Sequence, residues 1–105
     1  KQISTTELTM LVNRKDATVL DIRAEADFRK GHITGARNIT ASQIQAVGLP
    51  GLENQKDNPI IVVCQAGMSA QGVADSLNKQ GFSQVFVLQG GMNSWTGANL
   101  PLVKK

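Results

Sequence analysis

The only thiol of the chain, Cys64, stands between two different kinds of sequence. Before it, Ile60-Ile61-Val62-Val63 is a β-branched apolar run with no polar alternation, the pattern of a strand covered on both faces. After it, Gln65-Ala66-Gly67-Met68-Ser69 forms a loop of mostly small residues. Ala70 to Gln80 is then amphipathic, with Val73, Ala74 and Leu77 at core spacing. The thiol is therefore expected where a buried strand hands over to a helix. In an open α/β sheet, ligands bind at the carboxyl ends of the strands. A first helical turn offers unpaired N–H groups and partial positive charge. A loop around Gly67 can turn its amides inward as an anion nest. A thiolate held there is stabilised and is a nucleophile. The alternative is a buried small hydrophobe, the common state of a cysteine without a disulfide. Cys64 sits at the exit of its strand rather than inside it, and this favours chemistry.

The remaining elements must place that exit. Ser4 followed three residues later by Glu7 is a capping box that starts a helix over 5–13, with Leu8, Leu11 and Val12 on one face. Asp16-Ala17 reads as a turn, and Thr18 to Ile22 as a second buried strand. Residues 24–30 read as a short helix stopped by Gly31. A loop then leads into a short strand at 37–39, and 42–47 reads as one or two helical turns. The stretch 48–59, rich in Pro, Gly and Asn, reads as mostly loop. Gly81 closes the helix that follows Cys64, Val85 to Leu88 is another buried strand, and Gly90-Gly91 opens a short helix through Trp95. The tail after Pro101 is extended. Buried strands alternating with helices give an α/β domain with a mainly parallel sheet. Three strand exits then share one edge: Asp21-Ile22-Arg23, Cys64 onward, and Gln89-Gly90-Gly91.

The chain of 105 residues fits one domain. Its net charge of +3 comes from scattered side chains, which suits small anionic substrates. Three Phe, one Trp and no Tyr leave few stacking platforms, so no nucleic-acid partner is expected. One Cys and one His cannot assemble a tetrahedral zinc site, so no metal is expected. A single cysteine also excludes an internal disulfide. No apolar run approaches transmembrane length, and no signal-peptide pattern opens the chain. The first residue is Lys1 and not Met, so the expectation is a fragment or processed form of a longer protein.

The motif Cys-x-x-Gly-x-Ser-x-x-Gly, made by Cys64, Gly67, Ser69 and Gly72, resembles the active-site loop of rhodanese-family sulfurtransferases. Three further segments resemble the family in the right order. They are Asp21-x-Arg23, then Phe28-Arg29-Lys30-Gly31-His32-Ile33-Thr34-Gly35-Ala36-Arg37-Asn38-Ile39, then Gly90-Gly91-Met92-x-x-Trp95. In the second of these, Thr34 stands where the family usually has Pro. The Asp27-to-Ile33 run and the Leu100-Pro101-Leu102-Val103 end resemble single-domain bacterial members, some of which carry an N-terminal membrane anchor.

The resemblance implies a rhodanese-like fold, with helices on both faces of the sheet, and no cofactor. It implies transfer of a sulfane sulfur from thiosulfate or a persulfide donor, through a Cys64 persulfide, to a thiol or cyanide acceptor. The backbone amides of Gln65, Ala66, Gly67, Met68, Ser69 and Ala70 would hold the persulfide's charge, with the Ser69 hydroxyl available to add a bond. Arg23 either lines the anion site or pairs with Asp21. His32 is expected to tie a loop down rather than act as a base. Trp95 is expected in the core or as a lid, its indole N–H needing a partner. Gly90 and Gly91 are expected to allow close packing beside the site. The cytoplasm is the expected location, with any tether to the inner membrane confined to a segment absent from this chain.

Two rivals remain open. Cysteine-dependent phosphatases and arsenate reductases of this fold differ in the loop: a phosphatase needs Cys-x5-Arg to grip phosphate, and the sixth residue after Cys64 is Ala70. Rhodanese-fold binding or regulatory modules typically lack the cysteine, which is present here.

Overall fold

A computed structural model of the chain describes residues 2–15, 17–47, 57–66 and 68–104. The sequence expectations at Asp16, Gly67 and 48–56 lie outside the described residues. In chain order the elements are β1 (Gln2–Ile3), α1 (Thr5–Lys15), β2 (Thr18–Asp21), α2 (Glu25–Lys30), β3 (Arg37–Asn38), α3 (Ala41–Val47), β4 (Ile60–Val63), α4 (Met68–Lys79), β5 (Val85–Leu88) and α5 (Gly91–Gly97). The strands pair in the order β1-β5-β4-β2-β3, and every pair is parallel. The α/β expectation holds, with a sheet parallel throughout.

The pleat explains the unbroken apolar run of β4. Ile60, Val62 and Cys64 face one way, packing with Leu20, Ile22, Val85 and Val87 against Ile44 of α3 and Ala70, Val73, Ala74 and Leu77 of α4. Ile61 and Val63 face the other way, with Val19 and Leu88, against Leu8 of α1 and Met92 and Trp95 of α5. Both faces are covered, so neither can be polar. Cys64 continues this alternation and projects to the α4 side.

The helix ends are set locally. The Ser4 N–H donates to Glu7 Oε1 (3.1 Å) and the Glu7 N–H to Ser4 Oγ (3.2 Å), the expected capping box. A second box, Thr40 with Gln43, starts α3 and was not foreseen from the sequence. At the end of α4 the Phe82 N–H donates to Leu77 O and the Gly81 N–H to Asn78 O, with Gly81 at φ +102. This is a Schellman closure, and the hydrophobic contact that accompanies it comes from Phe82 and Leu77, both buried in the α4-side core. Gly31 ends α2 differently, with extended backbone.

Two features escape sequence patterns. β1 is two residues long, too short to show a period, yet it adds a parallel strand beside β5. The C-terminal segment returns to pair antiparallel, Val103 with His32. α4 also begins at Met68, ahead of the expected Ala70, and the residue before it is Gly rather than a Ser, Thr, Asp or Asn that would mark the start. Met68 and Ser69 thus belong to the first helical turn.

Thr34 occupies a turn built for proline. The Ala36 N–H donates to Ile33 O (3.0 Å), and Gly35 sits at φ +80, as a type II turn requires at its third position. Thr34 is exposed at the second position, where proline's fixed φ fits. Thr34→Pro is expected to stabilise the domain by about 0.4–1 kcal/mol through the unfolded state. The check is thermal unfolding, where Tm should rise by a few degrees.

Candidate active site

Cys64 lies at the exit of β4, third of five strands in the sheet, and is 6% exposed. The loop that follows is held from the opposite face by α5. The Met92 N–H donates to Cys64 O (2.8 Å) and the Asn93 N–H to Gln65 O (3.0 Å). In a trans peptide the N–H points opposite to the preceding C=O, and no peptide bond here is cis. The amides of Gln65 and Ala66 therefore point away from α5. The side chains of Gln65, Ala66 and Ser69 are exposed, while Ala70 is buried in the α4-side core. Gly67 and the side chain of Met68 lie outside the described residues.

Gly91 makes that backbone contact possible. It sits at φ +57, and an added Cβ would collide with Cys64 O and lie 2.9 Å from the Gln65 carbonyl carbon and oxygen. The expected close packing is present at both glycines: Gly91 packs on the Cys64 peptide, and Gly90 packs on the Ser94 side chain.

The neighbouring exit, Asp21-Ile22-Arg23, is tied by a buried ion pair. Arg23 Nη2 donates to Asp21 Oδ2 (2.7 Å), and Arg23 Nε lies within 3.1 Å of both carboxylate oxygens. Nη2 also donates to Gly31 O (2.8 Å), so one guanidinium joins the exit of β2 to the end of α2. Asp21 Oδ1 further accepts the Arg23 N–H (3.0 Å). Asn38, to which the sequence reading gave no role of its own, donates from Nδ2 to the carbonyls of Asp21 (3.0 Å) and Arg23 (2.9 Å).

His32 is buried and its ring stacks on Phe28, with centroids 3.8 Å apart. Its Nδ1–H donates to Phe28 O (2.8 Å), since a carbonyl can only accept. Its backbone exchanges two hydrogen bonds with Val103. This matches the expected tie. Trp95 is a core residue whose Nε1–H donates to Pro101 O (2.9 Å).

The fold and the placement of Cys64 define a rhodanese-like domain. The sequence pattern of the rhodanese-like domain matches residues 4–98, and the chain belongs to that family. It is 50% identical over 104 residues to the uncharacterized protein YibN of Escherichia coli strain K12, covering 99% of this chain and 73% of YibN. It is 36% identical over 98 residues to the thiosulfate sulfurtransferase GlpE of Pseudoalteromonas translucida, covering 93% of this chain and 90% of that protein. The crystal structure of a rhodanese-related protein from Thermoplasma volcanium superposes with a TM-score of 0.84 at 23% identity, covering 100% of this chain and 99% of that one, a likeness of fold. Among the described residues, no helix is long and apolar enough to cross a membrane.

Two glycines of the family motifs should respond oppositely to alanine. Gly72 lies on the exposed face of α4, and a Cβ there meets nothing within 4 Å. Gly72→Ala is expected to add roughly 1 kcal/mol of stability. Gly91→Ala should cost at least about 2 kcal/mol from its left-handed backbone and the collision with the Cys64 peptide. Urea unfolding of the pair checks the sign of each.

Proposed function

We propose that the protein is a sulfurtransferase that carries sulfane sulfur on Cys64. The Cys64 thiolate attacks the outer sulfur of thiosulfate. The S–S bond breaks, sulfite leaves with the electron pair, and Cys64 becomes a persulfide. An acceptor, cyanide or a thiolate, then attacks that outer sulfur to give thiocyanate or a new persulfide and regenerates the Cys64 thiolate. This is double displacement through a covalent intermediate and needs no cofactor. The observation that carries the reading is the position of Cys64, at the exit of the middle strand with the next peptides fixed by α5. The amides from Gln65 to Ala70 are the proposed holders of the persulfide charge, with the first turn of α4 behind them. The Ser69 hydroxyl is a proposed additional donor. The similarity to GlpE supports the same reading.

The burial of Cys64 favours a second reading, a rhodanese-fold binding module whose cysteine only packs in the core. Intact mass separates the two. The first reading expects one added sulfur atom after incubation with a sulfane donor, its removal by cyanide or dithiothreitol, and no gain in Cys64→Ser. No added mass with any donor sinks it. Aryl phosphates should not be turned over, because the sixth residue after Cys64 is Ala70.

The donor preference follows from the loop's charge. Gln65, Ala66, Gly67, Met68 and Ser69 are all uncharged, and a helix terminus offers only about half an elementary charge. A charge-assisted bond is roughly twice as strong as a neutral one. Steady-state assays should therefore show a high KM for thiosulfate and better rates with a less charged persulfide. Ala66→Arg should lower the thiosulfate KM with little change in kcat. Saturation of the wild type at low thiosulfate, with no gain from Ala66→Arg, would place the cation outside the loop.

A further inference from the structure

The carboxyl ends of β4, β2 and β3 place Cys64, Ile22 and Ile39 side by side. The last pairs of the sheet there are Asp21 with Val63 and Asp21 with Asn38. The Ile22 N–H to Val63 O (2.9 Å) and the Ile39 N–H to Asp21 O (3.2 Å) close those pairs, so Ile22, Ile39 and Cys64 each follow directly. Strands lie about 4.8 Å apart, which puts Ile22 one strand spacing from Cys64 and Ile39 two. All of these side chains take the α4 side: Cys64 and Ile22 belong to that core, and Ile39 packs against it partly buried. The pleat sends the charged residues of these exits the other way. Asp21 shares its row with Val63 of the α5-side core, and Arg23 is bonded to Asp21. Arg37 also takes the α4 side, yet it pairs with Leu20, two residues short of the exits. Beside Cys64 the α4 side is therefore apolar among the described residues, and the loop's exposed side chains, Gln65, Ala66 and Ser69, add no charge.

We propose that Ile22 and Ile39 are specificity-determining residues, an apolar wall for sulfane donors that carry a carbon chain on their leaving sulfur. The inference rests on the sulfur-transfer reading and names its donor class. The amides of Gln65 and Ala66 turn to the side where Cys64 projects, so they meet the transferred sulfur and its charge. The rest of the donor lies along the row. Thiosulfate brings sulfonate oxygens to that place, where they give up water without gaining a partner. A carbon chain gains there, by about fourfold in affinity for each methylene fully buried. The chemistry is that of thiosulfate. With an alkanethiosulfonate, R–SO2–S−, the Cys64 thiolate attacks the outer sulfur and the S–S bond breaks. The sulfinate R–SO2− leaves with the electron pair, and Cys64 keeps the transferred sulfur as a persulfide anion.

The test compares kcat/KM for thiosulfate with that for methane-, ethane- and propanethiosulfonate, with cyanide as acceptor. In the wild type each added methylene should raise kcat/KM about two- to fourfold. Ile39→Ala should flatten that rise, so that the propyl donor loses at least about threefold more than thiosulfate does. Ile22→Val, one methylene smaller and one strand nearer the thiol, should cut the rise in part. Ile39→Lys should reverse the order, improving thiosulfate through KM while the propyl donor loses. A wild type indifferent to chain length, or Ile39 variants that scale every donor by one factor, overturn the proposal and leave the sulfur-transfer reading standing. A wild type that gains no sulfur from any donor overturns that reading instead. In Cys64→Ser, where no sulfur moves, equilibrium binding of the thiosulfonates still decides the wall: tighter binding with chain length upholds it, and equal binding overturns it.

Discussion

The structure depends on a close approach of backbone to backbone, the start of α5 against the peptides of Cys64 and Gln65. Carbonyls at a strand's exit have no ladder partner, and a buried unpaired carbonyl is costly. Here the Met92 and Asn93 N–H groups supply the partners, at 2.8 and 3.0 Å. One contact thus solves two problems: it satisfies both the strand end and the helix start, whose first N–H groups also lack internal partners. It has a directional consequence as well. With these two carbonyls turned to α5, the amides of Gln65 and Ala66 turn the other way, to the side where Cys64 projects. The requirement falls on Gly91, where no other residue fits both the φ of +57 and the space against Cys64 O.

The neighbouring exit uses side chains for the same purpose. Asp21 is 1% exposed and carries a charge into the sheet's edge, which is tolerated only because Arg23 meets it with two nitrogens and the Arg23 backbone adds a third bond. Asn38 then fills the adjacent carbonyls. On the far side of α2 the same economy recurs in His32, which spends its Nδ1–H on Phe28 O and its backbone on Val103. These polar residues at the sheet's carboxyl edge are thereby drawn into holding loops.

Much of this was legible in the sequence, for reasons that differ by element. β2, β4 and β5 were readable because both faces of a covered strand must be apolar, which gives runs such as Ile60 to Val63. The start of α1 and the end of α4 were readable because capping is local: Ser4 with Glu7, and Gly81 after Lys79. β1 was not, since two residues carry no period and its existence depends on β5, more than eighty positions away. In the candidate site, Cys64 and the glycines of α5 announced themselves by type. Asn38 and Asn93 did not, because an asparagine's role is set by which carbonyl or amide the fold brings to it, and both partners are distant in sequence.

The disposition of Arg23 shows how a sequence motif can be right about contact and silent about charge. A guanidinium one residue from a strand exit looks like an anion site. In the folded domain its Nε and Nη2 are committed to Asp21 and the Gly31 carbonyl, so the pair presents almost no net charge at the exit of β2. Removing Arg23 would also strand a buried carboxylate, a change that typically costs about 3–5 kcal/mol, so lost activity in an alanine variant would report stability before substrate binding. Lys30, exposed in the last turn of α2, has no such bond among the described residues.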